Sequence, residues 1–126
     1  MKKLLFFFLF TISSLANAQW TLITDIDDTK FFIDLTSIQQ IGQYKRGWLK
    51  TEYPSNSEMT LKHKIRSSRA LAEFDCREKK YRNLTFQTFK QPNLIDSDLI
   101  NNKQDEWKFI APGTVADSEL IIICKK

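Results

Sequence analysis

The sequence predicts a small α+β domain with about five or six short strands and a C-terminal helix. Three observations predict it. Strand-like runs recur along the chain with turn residues between them, one segment near the C-terminus carries helix-capping residues, and the length left after an export signal suits a single hydrophobic core.

The N-terminus reads as that export signal. Met1-Lys2-Lys3 is a positive leader, Leu4 to Ile12 is almost unbroken apolar chain, and Ala16-Asn17-Ala18 has the small-x-small pattern that signal peptidase reads. Residues 1–18 are therefore expected to be cleaved, leaving a single domain over residues 19–126. The apolar run is too short to cross a bilayer as a stable helix, and no cysteine beside the cleavage site offers itself to a lipid. A periplasmic or secreted product follows. Of the 126 residues, 19 are Lys or Arg and 15 are Asp or Glu, a net charge of +4. Lys2 and Lys3 leave with the signal, so the mature chain balances 17 against 15, and this charge gives no reason to expect a nucleic acid partner.

Trp20, Leu22, Thr24 and Ile26 share one parity and suit a first strand; the Asp25 to Lys30 cluster is a turn signal, and Lys30 to Leu35 returns to strand composition. Thr36-Ser37-Ile38 and Ile41-Gly42 read as corners. Tyr44 to Tyr53 is aromatic and β-prone, and Pro54 to Glu58 closes it. Met59 to Ser68, polar and basic, reads as a loop leading into a strand. The clearest alternation follows, with Ala70, Ala72, Phe74 and Cys76 on one parity and Leu71, Glu73, Asp75 and Arg77 on the other, a half-buried strand. Asn83 to Lys90 is a further strand, paired with it through a bend near Tyr81 to Asn83. Gln91-Pro92-Asn93 interrupts pairing, Asp96 to Glu106 is a polar loop, and Trp107 to Ile110 is a short strand. In the last segment, Thr114 as N-cap, Asp117 and Glu119 early and Lys125-Lys126 late favour a helix from near Val115, while Ile121-Ile122-Ile123 pulls toward a strand.

Cys76 and Cys124 are the only cysteines, an even count in an exported chain, and a disulfide is the default expectation in an oxidising compartment. The only histidine, His63, sits in a polar run and suits a surface position better than a metal site.

Asp25-x-Asp27-x-Thr29 after an apolar run is the spacing with which one class of phosphohydrolase presents a nucleophilic Asp and an acid–base Asp that share Mg²⁺. That chemistry needs a parallel sheet built from βαβ units of about 30 residues each. Here another strand-like run follows the motif where a helix is required, so a solvent-facing hairpin turn is the expectation and a small Mg²⁺-dependent phosphohydrolase the alternative. Weak Ca²⁺ binding by Asp25, Asp27 and Asp28 lacks a full oxygen set. Ser67, Ser68 and Ser97 have only His63 to draw on as a base, and no catalytic residue, metal or cofactor is expected. The basic runs Lys62 to Arg69 and Arg77 to Arg82 suit a charged solvent face or an anionic partner, and Asn83-Leu84-Thr85 has the form of a glycosylation acceptor.

The order of segments carries more than any one of them. Trp20 on an opening strand, Phe32-Ile-Asp-Leu-Thr-Ser-Ile38, the Trp48 strand ending Tyr53-Pro54, Ser67 to Arg77 with Tyr81-Arg82, and Trp107 to Thr114 with a terminal Cys124 together resemble the surface-adhesin protein E-like family of exported bacterial proteins. The resemblance implies a small antiparallel sheet with a C-terminal helix packed on it and a disulfide from a central strand to that helix. It also implies a non-enzymatic binding module that meets a protein or envelope component. The adhesin after which the family is named engages host matrix and plasma proteins such as vitronectin and laminin. No catalytic residues come with the family, and an unpaired sheet edge would let two copies associate.

Overall fold

The structure, a computed structural model, describes residues 19–90 and 104–126. The export signal over 1–18, the break at Gln91-Pro92-Asn93 and Ser97 lie outside the described residues. Seven strands form one antiparallel sheet: β1 (Trp20–Ile26), β2 (Thr29–Asp34), β3 (Gln39–Ile41), β4 (Tyr44–Glu52), β5 (Ser67–Asp75), β6 (Lys80–Phe89) and β7 (Lys108–Phe109). The spatial order is β1-β2-β4-β5-β6-β7, with β3 beside the first half of β4. Among the described residues there are two α-helices, the short α1 (Glu58–His63) and the C-terminal α2 (Val115–Lys125).

Most neighbours in the sheet are also neighbours in sequence, so tight turns set its register. Ile26 pairs with Thr29 across Asp27 and Asp28, and both of these residues have positive φ, +50° and +65°. Positive φ at both central residues defines a type I′ turn, whose twist matches the flanking strands. Aspartate tolerates that region better than most residues because its side chain bonds locally to backbone. At the β3–β4 turn Gly42 takes φ +59° at the first central position, as a type II′ turn requires. The four-residue β5–β6 turn is closed by Asp75, whose Oδ1 accepts from the backbone N–H groups of Arg77 (3.1 Å) and Glu78 (3.0 Å).

Between β2 and β3 the chain makes one turn of 3₁₀ helix, Leu35–Ser37, capped by the buried Asp34, which accepts from the N–H of Thr36 (3.0 Å) and its hydroxyl (2.6 Å). The corner moves the chain from the second half of β4 to the first, since β2 pairs with Leu49 to Glu52 and β3 with Tyr44 to Arg46. Trp48 falls in the gap, and its N–H donates to Ser37 Oγ (2.9 Å). A ladder donor without a strand partner is thus satisfied by a side chain.

One face of the sheet carries α2. Pairing places Gly47 opposite Ala72, Leu49 opposite Ala70 and Ile33, and Tyr81 opposite Phe74 on that face. Ile33, Ala72, Phe74, Leu120 and Ile123 form the buried centre. Burying each large side chain contributes about 1.5–3 kcal/mol before entropy is counted. Gly47 is where the helix comes closest: a Cβ built there lies 3.4 Å from Ile123 Cδ1 and 3.5 Å from Ile38 Cγ1, so anything larger than alanine would push α2 outward. The helix is capped by Thr114, which accepts from the Asp117 N–H (3.3 Å), and its last carbonyls are met by Lys45, which donates to Cys124 O (3.4 Å). The disulfide joins Cys76, just past β5, to Cys124 in the last turn of α2.

The expectation of five or six strands is corrected to seven. The missed strand, β3, is three exposed residues without an apolar face, and its pairing comes from the Gly42 turn rather than from its composition. The loop expected over Met59 to Ser68 contains most of α1. Its N-cap is Ser57, accepting from the Thr60 N–H (3.2 Å), and it ends at Lys64 in the left-handed region, φ +59°. β1, expected to keep one parity, is bulged: it shifts register between Leu22 and Thr24, so Ile23 packs against the core while Leu22 is exposed; β6 is bulged as well, at Leu84.

Two stability effects follow. Replacing both Cys76 and Cys124 by serine opens a link across 48 positions, and urea denaturation is expected to show a loss of about 4 kcal/mol; a midpoint unchanged from the oxidised protein would contradict it. Changing Asp27-Asp28 to Asn-Gly, the preferred type I′ pair, is expected to raise unfolding free energy by roughly 0.5–1 kcal/mol in the same assay.

Candidate binding face

The sheet face opposite α2 has no element of regular structure packed on it among the described residues, and its side chains form rows across the strands. Leu22, Phe32, Lys50, Arg69 and Gln87 make one row by direct pairing; Arg46, Glu73 and Arg82 make another. In the first row Lys50 Nζ lies over the rings of Phe32 (4.5 Å) and Trp20 (5.0 Å), and the Arg69 guanidinium lies over Phe89 (4.7 Å) and Trp20 (5.4 Å). Such contacts are worth about 0.5–2 kcal/mol each, and here they let cations cover apolar rings that would otherwise face water.

The second row contains a buried carboxylate. Glu73 is 1% exposed, although its place on the polar parity of β5 predicted a solvent-facing side chain. It accepts from Arg46 Nε (2.7 Å) on one side and from Arg82 Nε (2.9 Å) and Nη2 (2.6 Å) on the other. Arg82 in turn lies over Trp107 (4.2 Å), whose ring is 4.9 Å from that of Tyr44. Burial works against the charge of Glu73, but the hydrogen bonds and charges of Arg46 and Arg82 outweigh it and hold the carboxyl below its ordinary range. The basic run Arg77 to Arg82 is thereby divided: Arg77, Glu78 and Lys79 are an exposed turn, whereas Arg82 is structural.

The other basic run behaves differently. Lys62 is exposed and pairs with Glu58 (3.8 Å), but Arg66 and Arg69 line a cavity of about 250 Å³ together with Lys50, Glu52, Tyr53 and Ser67. Lys50 bonds Glu52 (3.0 Å), and among the described residues neither Arg66 nor Arg69 has an ion-pair partner. Arg69 Nε is buried and makes no hydrogen bond among the described residues.

A second cavity, about 240 Å³, lies on the other face between α2 and the sheet, lined by Phe31, Leu49, Phe86, Val115 and others, with the Glu119 carboxyl among them. Desolvation alone raises Glu119 to about 7. Among the described residues Tyr81 is the other titratable side chain lining this cavity, and no cation lines it. Asn83 also faces it, so the Asn83-Leu84-Thr85 triplet is part of a half-buried strand beside a bulge.

The phosphohydrolase alternative loses its context. Asp25 lies on β1 opposite Lys30, Asp27 sits in the I′ turn, Thr29 begins β2, and every strand pairing among the described residues is antiparallel. Among the described residues no group of three or more His, Cys, Asp or Glu side chains is placed to hold a metal ion. His63 is exposed at the end of α1, Ser68 is buried and shares a hydrogen bond with the Tyr53 hydroxyl (3.2 Å), and Ser67 lines the basic cavity. No helix among the described residues is long and apolar enough to cross a membrane.

The sequence model of a family described as surface-adhesin protein E matches residues 20–125. No curated relative matches this chain. Among solved structures, two of Haemophilus influenzae protein E superpose with TM-score 0.60 at 15% identity. One, in crystal form II, covers 86% of this chain and 91% of that chain; the other covers 86% of each. A selenomethionine form of the same protein gives TM-score 0.55 at 16% identity over 75% of this chain and 78% of that one. At such identity the likeness shows the fold.

The two perturbed carboxylates act on stability with opposite signs. Between about pH 4.5 and 7 the folded chain holds a proton on Glu119 that the unfolded chain has lost, so stability falls as pH rises through that window, by roughly 3 kcal/mol. Glu73, depressed in the folded state, stabilises above the ordinary carboxylate range, and that contribution is lost as pH falls through its folded value. Denaturation measured from pH 3 to 8 is expected to show that Glu119→Gln removes the loss between 4.5 and 7. Glu73→Gln, which leaves two arginines facing a neutral group, is expected to cost about 3 kcal/mol at pH 7. A Glu119→Gln profile parallel to the wild type through that window would refute the first assignment.

Proposed function

Because this chain belongs to the surface-adhesin protein E family, we propose that it is an exported, non-enzymatic binding module that meets a protein or envelope partner through the sheet face opposite α2. The observation that carries this reading is the division of labour between the two faces. α2 and the disulfide close one face, while the other presents aromatic rings, Lys50, Arg66 and Arg69. Aromatic and arginine side chains are the types enriched where binding energy concentrates at protein interfaces. A rigid sheet holds them in place at little entropic cost. Export follows the reading of residues 1–18 as a cleaved signal, with a mature chain beginning at Gln19. Host matrix proteins belong to the range of partners through the family alone, since sharing a fold does not transfer a ligand. The edges at β1 and β7, which pair with no further strand among the described residues, support association of two copies on the same terms.

Photo-crosslinking in intact cells tests the choice of face. A photoreactive residue at position 22, at the open face, is expected to capture a partner. One at position 121, on the exposed side of α2, is expected to capture none. Equal capture from both sites would overturn the assignment, and the intact mass of the exported protein reads the cleavage site in the same preparation.

A further inference from the structure

We infer that the cavity between β4 and β5 is a carboxylate site, which seats an aspartate or glutamate side chain of an acidic peptide segment against Arg66 and Arg69. The inference rests on the open face being the binding face and names the chemistry recognised there.

Four features of the cavity point to an oxyanion. Among the described residues that line it, Lys50, Arg66 and Arg69 are cations and Glu52 is the one acid. Glu52 is engaged by Lys50 at 3.0 Å, which leaves the charges of Arg66 and Arg69 without an acid among the described residues. Arg69 is held by its ring contacts with Trp20 and Phe89, so its position is fixed before a ligand arrives. Its Nε is a buried donor with no acceptor among the described residues, so the desolvation of the guanidinium goes uncompensated in the free protein. Guanidinium matches a planar carboxylate with two parallel hydrogen bonds, and Ser67 offers a hydroxyl at the same wall.

The surroundings favour a peptide over a polyanion. The cavity is a single depression, and the basic surface does not continue beyond it. Glu52 and Tyr53 are shared with an adjoining depression in which Asp28 of the β1–β2 turn and Glu52 outnumber Lys30. A sulfated polysaccharide lying along the face would carry its next charges over that turn, whereas one carboxylate flanked by apolar or aromatic residues would meet Trp20, Phe32 and Phe89 beside the cavity.

The test uses the mature chain with ¹⁵N-labelled arginine and follows the Arg69 Nε–H resonance. The probes are acetyl-Gly-Glu-Tyr-Gly-amide, its Gln counterpart and a heparin-derived hexasaccharide. The Glu peptide is expected to shift the resonance saturably and to bind about tenfold more tightly than the Gln peptide, with Arg66→Gln weakening it about tenfold. Arg66 carries no ion pair among the described residues, so this variant is expected to fold as the wild type does, which thermal unfolding verifies. Equal binding of the two peptides, tighter binding of the hexasaccharide, or indifference to Arg66→Gln overturns the proposal. The two readings fail separately. Face-specific crosslinking that survives Arg66→Gln while the peptides do not bind removes the carboxylate site and keeps the binding face. Peptide binding without face-specific crosslinking does the reverse.

Discussion

Among the described residues one helix, α2, packs on a seven-stranded sheet, and it is long enough to cover one face only. The rest of the structure follows from that limit. The covered face is built for contact, with glycine and alanines at Gly47, Ala70 and Ala72 under the helix and Phe74 and Ile33 filling the space around Ile123. An 11-residue helix at the end of a chain frays easily and gains most of its stability from packing. The bond to Cys76, beside the β5–β6 turn, holds the fraying end where Lys45 reaches its carbonyls. The open face must be stable in water by itself, and it achieves this with side chains that are apolar along their length and charged at their tips. Lys50, Arg69 and Arg82 lie over Trp20, Phe32, Phe89 and Trp107, so the rings are shielded without a second layer. Such a face is soluble and still presents aromatic surface to a partner able to displace or share its cations.

The two perturbed carboxylates mark the difference between the faces. Glu73 lies under arginines, and its charge is stabilised because the open face is rich in donors. Glu119 lies on α2 against the sheet, with no cation among the described residues lining its cavity, and desolvation favours its proton. Neither environment is apparent from the residues' neighbours in sequence. Glu73 sits in an alternating strand as an ordinary polar-face residue, and Glu119 sits one turn into a helix where an acid suits the dipole. Each is set by elements that arrive from elsewhere in the chain.

What could be read from the sequence was local or pairwise by chemistry. The Ala70 to Cys76 alternation, the Thr114 cap and Lys125 at the far end, and the acidic turn at Asp27-Asp28 each rest on a few adjacent residues, and the folded chain keeps all three as strand, helix and turn. The segment α1 carried the same kind of signal in Ser57, Glu58 and Lys62, and weighing caps rather than polarity would have found it. The strand β3 had no such signal, because three exposed residues pair only on account of the turn beside them. Bulges at Ile23 and Leu84 break parity for tertiary reasons, and the basic cavity joins Lys50 to Arg66 and Arg69 across a strand pairing that composition does not specify.

The fold is shared with Haemophilus influenzae protein E at 15% identity, a level at which the common sheet constrains little of the surface. A fold kept at that distance has to preserve the volume under the helix and the ladder of the sheet, and both can be met by many side chains of similar size. The open face carries a requirement of its own, the pairing of buried Glu73 with Arg46 and Arg82 and the cover that Lys50 and Arg69 give its rings. In this chain Glu73 absorbs Arg46 and Arg82, Glu52 absorbs Lys50, and the charge left over collects at one end of β5.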